Sequence, residues 1–217
     1  MRESRSVIAE QSAGPRISPV YRMVMAAAWP IVRWWGRLEV VGAHQLPTEG
    51  ATIVVANHDS AWDPVVIAAA VRRRRQIHAL AKASLWEHPL LGRVLDGMGQ
   101  IPVERGRADA AAMAAAGQHL AAGGCVGIFP EGTVSRGRHL RARSGAGRLA
   151  RAVPQARIVC AAVTGTVDIT RFPRRPRLRV TFFDPALPAA TESAQELSTR
   201  LTAEIRRRAP VVESVRP

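Results

Sequence analysis

One short polar segment of the sequence contains a histidine and an aspartate at a spacing suited to acid–base chemistry. In the segment Asn57–Pro64, His58 and Asp63 stand five positions apart, directly after an apolar, β-branched run. The segment ends in Asp-Pro, a pair typical of helix starts, because Asp suits the N-cap and Pro the first helical position. We therefore predict that His58 lies in a strand-to-helix turn and that Asp63 caps the helix.

That turn matters because residues five apart in a regular helix point roughly 140° away from each other. A carboxylate beside one imidazole nitrogen fixes the tautomer and stabilises the protonated ring, so the other nitrogen can take a proton from an alcohol. The spacing alone also occurs in ordinary turns, in which Asp63 would be only a helix cap and Ser60 a turn residue. The interpretation therefore depends on the neighbouring motifs.

A second polar turn follows another buried run and contains Phe129–Thr133, then Ser135 and Arg136. Its Glu131 and Thr133 can hydrogen-bond hydroxyl groups, and Gly132 allows close approach of the backbone. An ordinary Pro-Glu-Gly turn is the structural alternative.

A third segment, Gly99–Gly106, places Arg105 just past a short predicted strand. A guanidinium group there could hold a phosphate through two hydrogen bonds. The alternative is a solvated loop arginine.

Together and in this order, the three segments resemble the glycerophospholipid acyltransferase superfamily, most closely the bacterial 1-acylglycerol-3-phosphate acyltransferases. Asn57–Asp63 is similar to the first block of that family, the stretch ending in Arg105 to the second, and Phe129–Arg136 to the third. Ile158–Val163 with the following Gly-Thr pair is similar to the fourth. The resemblance covers residues 35–185.

The chain departs from the family pattern at three places. Pro102-Val103 precedes the acid–arginine pair of the second block, Ala161 stands where the fourth usually has proline, and Arg143-Ser144-Gly145 stands where a Lys-Gly pair is frequent. These differences concern the acceptor and the acyl donor more than the reaction.

The resemblance implies transfer of a fatty acyl group from acyl-CoA or acyl-carrier protein to the hydroxyl of lysophosphatidic acid, giving phosphatidic acid. Glycerol 3-phosphate or another lysophospholipid is the alternative acceptor. His58 would be the general base and Asp63 its partner, with no metal and no cofactor. The implied substrate-binding residues are Asn57, Ser60, Arg105, Glu131, Gly132, Thr133 and Arg136.

Buried apolar runs alternate with helical patterns along the chain. This predicts a single α/β domain whose mixed, mostly parallel sheet is flanked by helices. The expected strands lie near 38–41, 52–56, 77–81, 100–103, 125–129, 158–163 and 178–183, and the helices near 64–71, 84–98, 109–122, 145–153 and 191–208. We divide the chain into a flexible N-terminus (1–17), an amphipathic segment (18–36), an acyltransferase domain (37–208) and a tail (209–217).

The amphipathic segment is predicted to be a membrane-interface helix. It carries aromatic residues among arginines, a composition that suits a bilayer interface. Its apolar part, Met23–Val32, is shorter than the roughly 20 residues needed to span a bilayer. The alternative is a helix packed on the domain and kinked at Pro30. The residues concerned are Tyr21, Trp29, Trp34 and Trp35 beside Arg22, Arg33 and Arg37.

The chain is strongly basic, with 31 Lys and Arg against 17 Asp and Glu and a formal charge of +14. This surplus favours anionic partners. No nucleic-acid-binding motif accompanies it, so we expect membrane phospholipids and a phosphorylated acceptor instead. A non-catalytic module that docks on anionic membranes is the rival hypothesis. Of three arginine clusters (72–75, 171–179 and 136–143), the last is the one for which we favour lipid headgroups or CoA phosphates.

The two cysteines indicate the redox state of the cellular compartment. Cys125 and Cys160 are isolated within apolar runs, which indicates neither a disulfide framework nor a zinc pattern. A reducing compartment follows, and we expect a peripheral or monotopic protein on the cytoplasmic face of a membrane.

Overall fold

Helices and strands alternate along the chain in the computed structural model, which describes residues 17–104, 110–173, 175–187 and 191–211. The helices are α1 (Pro19–Pro30), α2 (Asp63–Ala70), α3 (Pro89–Gly97), α4 (Ala110–Ala121), α5 (Gly145–Ala152) and α6 (Ala194–Arg208). The strands are β1 (Glu39–Val41), β2 (Thr52–Ala56), β3 (His78–Lys82), β4 (Ile101–Val103), β5 (Cys125–Ile128), β6 (Arg157–Thr164) and β7 (Arg179–Phe183).

The seven strands form one sheet in the order β1-β7-β6-β2-β5-β3-β4. Every neighbouring pair is parallel except β6 and β7, which are antiparallel. The predicted α/β domain with a mixed, mostly parallel sheet is therefore confirmed. Strands β2 to β6 all end at the same edge, called here the carboxyl edge, where active sites of open α/β sheets form.

The sheet is covered on both faces, as the alternation along β2 shows. Ile53 and Val55 pack into one apolar cluster with α4, α5 and α6, whereas Val54 and Ala56 pack into another with α1 and α2. All five residues of β2 are buried, because the strand is central in the sheet and helices cover both of its faces. The central strand is thus a rigid support for the turn that follows it.

The N-terminal segment is helical, as predicted, and packs on the domain through one side. Tyr21, Met25 and Val32 are buried in the core. The α-helix ends at Pro30 and continues as a π-helical turn over Ile31–Trp35, because proline has no N–H to donate within a helix. In the ranges described, no helix combines the length and the hydrophobicity that crossing a bilayer requires.

Helix α6 begins at Ala194, three residues later than expected. A capping box fixes the start: the Ser193 hydroxyl accepts the Glu196 N–H, and the Glu196 carboxylate accepts the Ser193 N–H. Leu197, Leu201 and Ile205, at four-residue spacing, form a buried apolar stripe along the helix. The predicted flexible N-terminus up to residue 16 and the tail beyond 211 lie outside the described residues.

One residue of the arginine cluster 72–75 connects several loops through hydrogen bonds. Arg75 is buried, and its guanidinium donates to the carbonyl oxygens of Pro47, Gly50 and Gly123 and to the Thr52 hydroxyl. These bonds join three loops at the edge of the sheet opposite the carboxyl edge.

A buried histidine makes stability depend on pH. His78 is 8 % exposed, its Nδ1 lies 2.7 Å from the Gly99 carbonyl oxygen, and its ring meets that of His119 edge-on. Burial lowers the pKa of His78 from 6.5 to about 4, and the charge of Arg75 acts in the same direction. At a pH between these two pKa values, the unfolded chain takes up a proton at His78 that the folded chain does not. The free energy of unfolding therefore falls as the pH falls through this range.

We therefore expect wild type to lose about 2 kcal/mol more of its unfolding free energy than His78→Gln between about pH 7 and pH 5. Glutamine keeps a donor near Gly99 but cannot be protonated in this range. Urea denaturation of both proteins at the two pH values measures the difference. Equal pH dependence in the two proteins would contradict the prediction.

Candidate active site

The turn between β2 and α2 brings the predicted pair together. His58 Nδ1 lies 3.1 Å from Asp63 Oδ2, and both side chains are buried. An ionised carboxylate can only accept hydrogen bonds, so Nδ1 carries the hydrogen and Nε2 is left as the acceptor. The geometry is that of a general base held by a carboxylate.

Asp63 is not the helix N-cap, and this prediction was wrong by one position. Trp62 occupies the N-cap, and Asp63 is the first residue of α2. Its Oδ2 points back into the turn and accepts the N–H groups of Asp59 (2.6 Å) and Ser60 (2.7 Å), while Oδ1 accepts the Thr166 hydroxyl (2.5 Å). With the His58 bond, these contacts fix the carboxylate on both oxygens.

The loop after β5 packs against the histidine. The Phe129 ring stacks on the His58 ring with centroids 4.4 Å apart, and the Ser135 N–H donates to the His58 carbonyl oxygen at 2.7 Å. The first and third sequence blocks therefore meet at the carboxyl edge, as adjacent parallel strands β2 and β5 require.

Glu131 supports the turn from inside the protein. It is 3 % exposed, and its Oε2 accepts the backbone N–H of His58 at 2.9 Å. Its Oε1 accepts two bonds from Arg206, one of them from Nε at 2.8 Å. The carboxylate that we assigned to substrate binding is thus engaged by the protein itself.

Arg206, in the last turn of α6, was missed by the sequence analysis. Its two terminal nitrogens also donate to the Asp59 carboxylate at 2.8 and 2.9 Å, so one guanidinium bridges both sequence blocks. The Ser135 hydroxyl donates to the same Asp59 carboxylate. No sequence signal marks this residue, because a helix that ends in three arginines is already explained by its dipole.

The bridging arginine shapes the ionisation of its partners. Burial alone would raise the pKa of Asp59, but the hydrogen bonds and charge of Arg206 and the Ser135 hydroxyl hold that pKa below its usual value. For Glu131 burial prevails over the attraction of Arg206, and its pKa is raised. The pKa of Arg206 is raised by the two carboxylates in spite of its own burial, so it stays charged.

Two further predicted substrate-binding residues build the turn. The Asn57 amide donates to the Val163 carbonyl oxygen and accepts the Val163 N–H, both at 2.8 Å, which fastens the turn to β6. The Ser60 hydroxyl accepts the Trp62 N–H at 3.2 Å. Both side chains organise the backbone around His58.

The remaining predicted residues are spread more widely. Gly132 lines the cavity described next and has φ +69°, in the left-handed region that favours glycine. Thr133 and Arg136 are exposed and are not among the cavity-lining residues. Arg105 lies outside the described residues.

His58 opens onto a cavity of about 630 Å³. Its lining includes the apolar side chains of Leu80, Val103, Met113, Ile128 and Phe129. It also includes three arginines, Arg141, Arg143 and Arg148. Among the residues described, no cluster of three or more His, Cys, Asp or Glu side chains is placed to hold a metal ion.

Similar proteins were found by structure and by sequence. The crystal structure of the 1-acyl-sn-glycerophosphate (LPA) acyltransferase PlsC from Thermotoga maritima shares the fold, with a TM-score of 0.65 over 98 % of this chain and 90 % of that one, at 18 % identity. A 1-acyl-sn-glycerol-3-phosphate acyltransferase from Borreliella burgdorferi is 34 % identical over 123 residues, which are 55 % of this chain.

The chain spans about half the length of the Borreliella relative, since the match covers 48 % of that protein. A sequence profile described as Acyltransferase matches residues 37–165, which is more than half of the 217 residues and includes His58, Asp63 and Glu131. The chain therefore belongs to the acyltransferase family.

Proposed function

We propose that the protein is a 1-acylglycerol-3-phosphate O-acyltransferase, which moves a fatty acyl group from a thioester to the free hydroxyl of lysophosphatidic acid. The observation that carries the proposal is the buried His58–Asp63 pair beside a cavity lined by apolar and basic residues. The apolar lining residues suit an acyl chain, and the names of the two similar proteins agree with this substrate class.

The geometry supports a single-displacement mechanism. His58 Nε2 accepts the proton of the acceptor hydroxyl as its oxygen attacks the thioester carbonyl carbon. The carbon–sulfur bond then breaks, an ester forms, and the departing thiolate takes the proton back from His58. Asp63 stabilises the imidazolium formed in between, and no covalent acyl-enzyme is required.

Turnover with defined substrates tests the proposal. Purified protein is incubated with lysophosphatidic acid and either acyl-CoA of several chain lengths or acyl-carrier-protein thioesters, and phosphatidic acid is detected by mass spectrometry. His58→Ala is the matched control, and glycerol 3-phosphate is the alternative acceptor. We expect phosphatidic acid from wild type alone. Product only from glycerol 3-phosphate would move the assignment to that acceptor, and no product from any pair would reject it.

We also propose that the protein binds the cytoplasmic face of a membrane peripherally through its carboxyl edge. At this edge Trp34 and Phe172 are 67 % and 83 % exposed. Phe172 is held in place by Trp35, whose ring stacks on it and whose indole N–H donates to the Ile169 carbonyl oxygen. Exposed arginines surround them, which suits anionic headgroups. They are Arg33, Arg37, Arg171 and Arg175.

Vesicle sedimentation tests this surface. We expect Trp34→Ser/Phe172→Ser to bind vesicles of phosphatidylcholine and phosphatidylglycerol at least about tenfold more weakly than wild type. Leu187→Ser is the control, because Leu187 is 92 % exposed but follows the end of β7, at the opposite edge of the sheet. Equal losses in both variants, or none in either, would contradict the proposed surface.

A further inference from the structure

The fourth sequence block has no assigned role in the reaction, yet it contacts the turn after β2 at two places. Val163, near the end of β6, bonds through its backbone to the Asn57 amide. Thr166, in the 3₁₀ turn that follows β6, donates its hydroxyl to Asp63 Oδ1 at 2.5 Å. The block therefore holds the first residue of the turn through its backbone and the last through a side chain.

The Thr166 hydroxyl serves the Asp63 oxygen that His58 does not use. Oδ2 of Asp63 receives three donors, which are His58 Nδ1 and the backbone N–H groups of Asp59 and Ser60. Within the part of the chain that the structure describes, Oδ1 receives the Thr166 hydroxyl alone. Thr166 and Asp63 are 1 % and 0 % exposed. Loss of the hydroxyl would thus leave a charged oxygen buried without a donor, which is costly.

The backbone that carries Thr166 is fixed on both sides. Gly165 has φ +83°, and a Cβ atom added to it would lie 2.2 Å from the Arg177 carbonyl oxygen, so glycine lets the two segments pack this closely. On the other side, the N–H of buried Ile169 donates to the Thr166 carbonyl oxygen at 3.3 Å. A β-branched side chain on a fixed backbone has few rotamers, so the hydroxyl approaches Oδ1 from one direction.

We infer that Thr166 is a positioning residue for the reaction, because its hydroxyl fixes the plane of the Asp63 carboxylate and thereby the direction of the His58 ring. The inference rests on the proposed function and extends it to the fourth block. Without the hydroxyl, the carboxylate turns about its Cβ–Cγ bond toward other donors and weakens its bond to Nδ1. Since Nε2 of the same ring takes the substrate proton, a displaced ring slows proton transfer and leaves substrate binding unchanged.

Three variants separate the position of the hydroxyl from its contribution to stability. Thr166→Val removes the hydroxyl at similar volume, and Thr166→Ser keeps it. Thr52→Val is the matched control, because Thr52 is also fully buried and its hydroxyl bonds to Gly50 and Arg75 at the opposite end of β2. The kcat and the KM for lysophosphatidic acid are measured for wild type and the variants at a temperature at which circular dichroism shows each of them folded.

A second readout does not depend on turnover. The Nδ1 proton of His58 is buried and bonded to a carboxylate, so it gives a downfield resonance in the proton NMR spectrum, identified by its absence from His58→Ala. We expect the wild-type resonance in Thr166→Ser and Thr52→Val. In Thr166→Val we expect it shifted or broadened, because the carboxylate no longer keeps one orientation.

We expect Thr166→Val to lower kcat by about tenfold or more with an unchanged KM, Thr166→Ser to recover most of the loss, and Thr52→Val to keep the wild-type kcat. Wild-type kcat in Thr166→Val, an equal loss in Thr52→Val, or no recovery in Thr166→Ser would overturn the inference. If wild type forms no product, the proposed function fails and the resonance alone decides: a change confined to Thr166→Val supports the positioning role, and an unchanged resonance there overturns it.

Discussion

Replacement of His58 by alanine is expected to lower kcat by about 10³-fold or more while the protein stays folded. A positioned general base contributes roughly 10²–10⁴-fold, and His58 is the titratable side chain on the cavity whose free nitrogen can accept the hydroxyl proton. Its backbone contacts to Glu131 and Ser135 remain in the variant, so the turn keeps its anchors. Rates of thiol release and phosphatidic acid formation measure the effect, and circular dichroism measures the fold.

Asp63→Asn provides the second half of this test. Asparagine keeps an oxygen that can accept the N–H groups of Asp59 and Ser60, but it lacks the charge that stabilises protonated His58. We expect a loss of about 10²-fold or more in the single variant, and a double variant no slower than His58→Ala, because the two residues act as one unit. A His58→Ala protein within about tenfold of wild type, or additive losses in the double variant, would contradict the assigned base.

Local patterns predicted the parts of the site that lie close together in sequence. The His58–Asp63 pair follows from a β-branched strand, a polar turn and an Asp-Pro helix start, all within twelve residues from Thr52 to Asp63. The meeting of this turn with Glu131 follows from the parallel alignment of buried strands, whose carboxyl ends share an edge. Both arrangements depend only on secondary structure and strand direction.

The contacts that define what each side chain does could not be predicted in the same way. Arg206 and Asp59 are 147 positions apart, and their contact depends on the rotation of α6 about its axis and on its lateral position. The contact between Glu131 and Arg206 could not be predicted for the same reason, since Arg206 is on a helix that no motif connects to Glu131.

Arg206→Ala is expected to destabilise the protein by about 3–5 kcal/mol, because it leaves two carboxylates without their counter-ion. The side chains of Asp59 and Glu131 are only 14 % and 1 % exposed, so water cannot replace the guanidinium well. Chemical denaturation measures the loss. Arg206→Lys keeps the charge but not the fork that bonds both carboxylates, so we expect it to recover only part of the stability.

A neutral variant separates stability from the positioning of His58. In Asp59→Asn/Glu131→Gln/Arg206→Met, the three charges are removed together at similar volume, so we expect stability within about 2 kcal/mol of wild type. Arg206 does not contact the reacting atoms. It acts on the reaction only through Glu131, whose Oε2 accepts the backbone N–H of His58, and through Asp59, the residue that follows His58 in the chain. The neutral variant should therefore show a kcat lowered by about tenfold or more and an unchanged KM for the acceptor. A stable neutral variant with wild-type kcat would show that the bridge stabilises the fold without positioning the base.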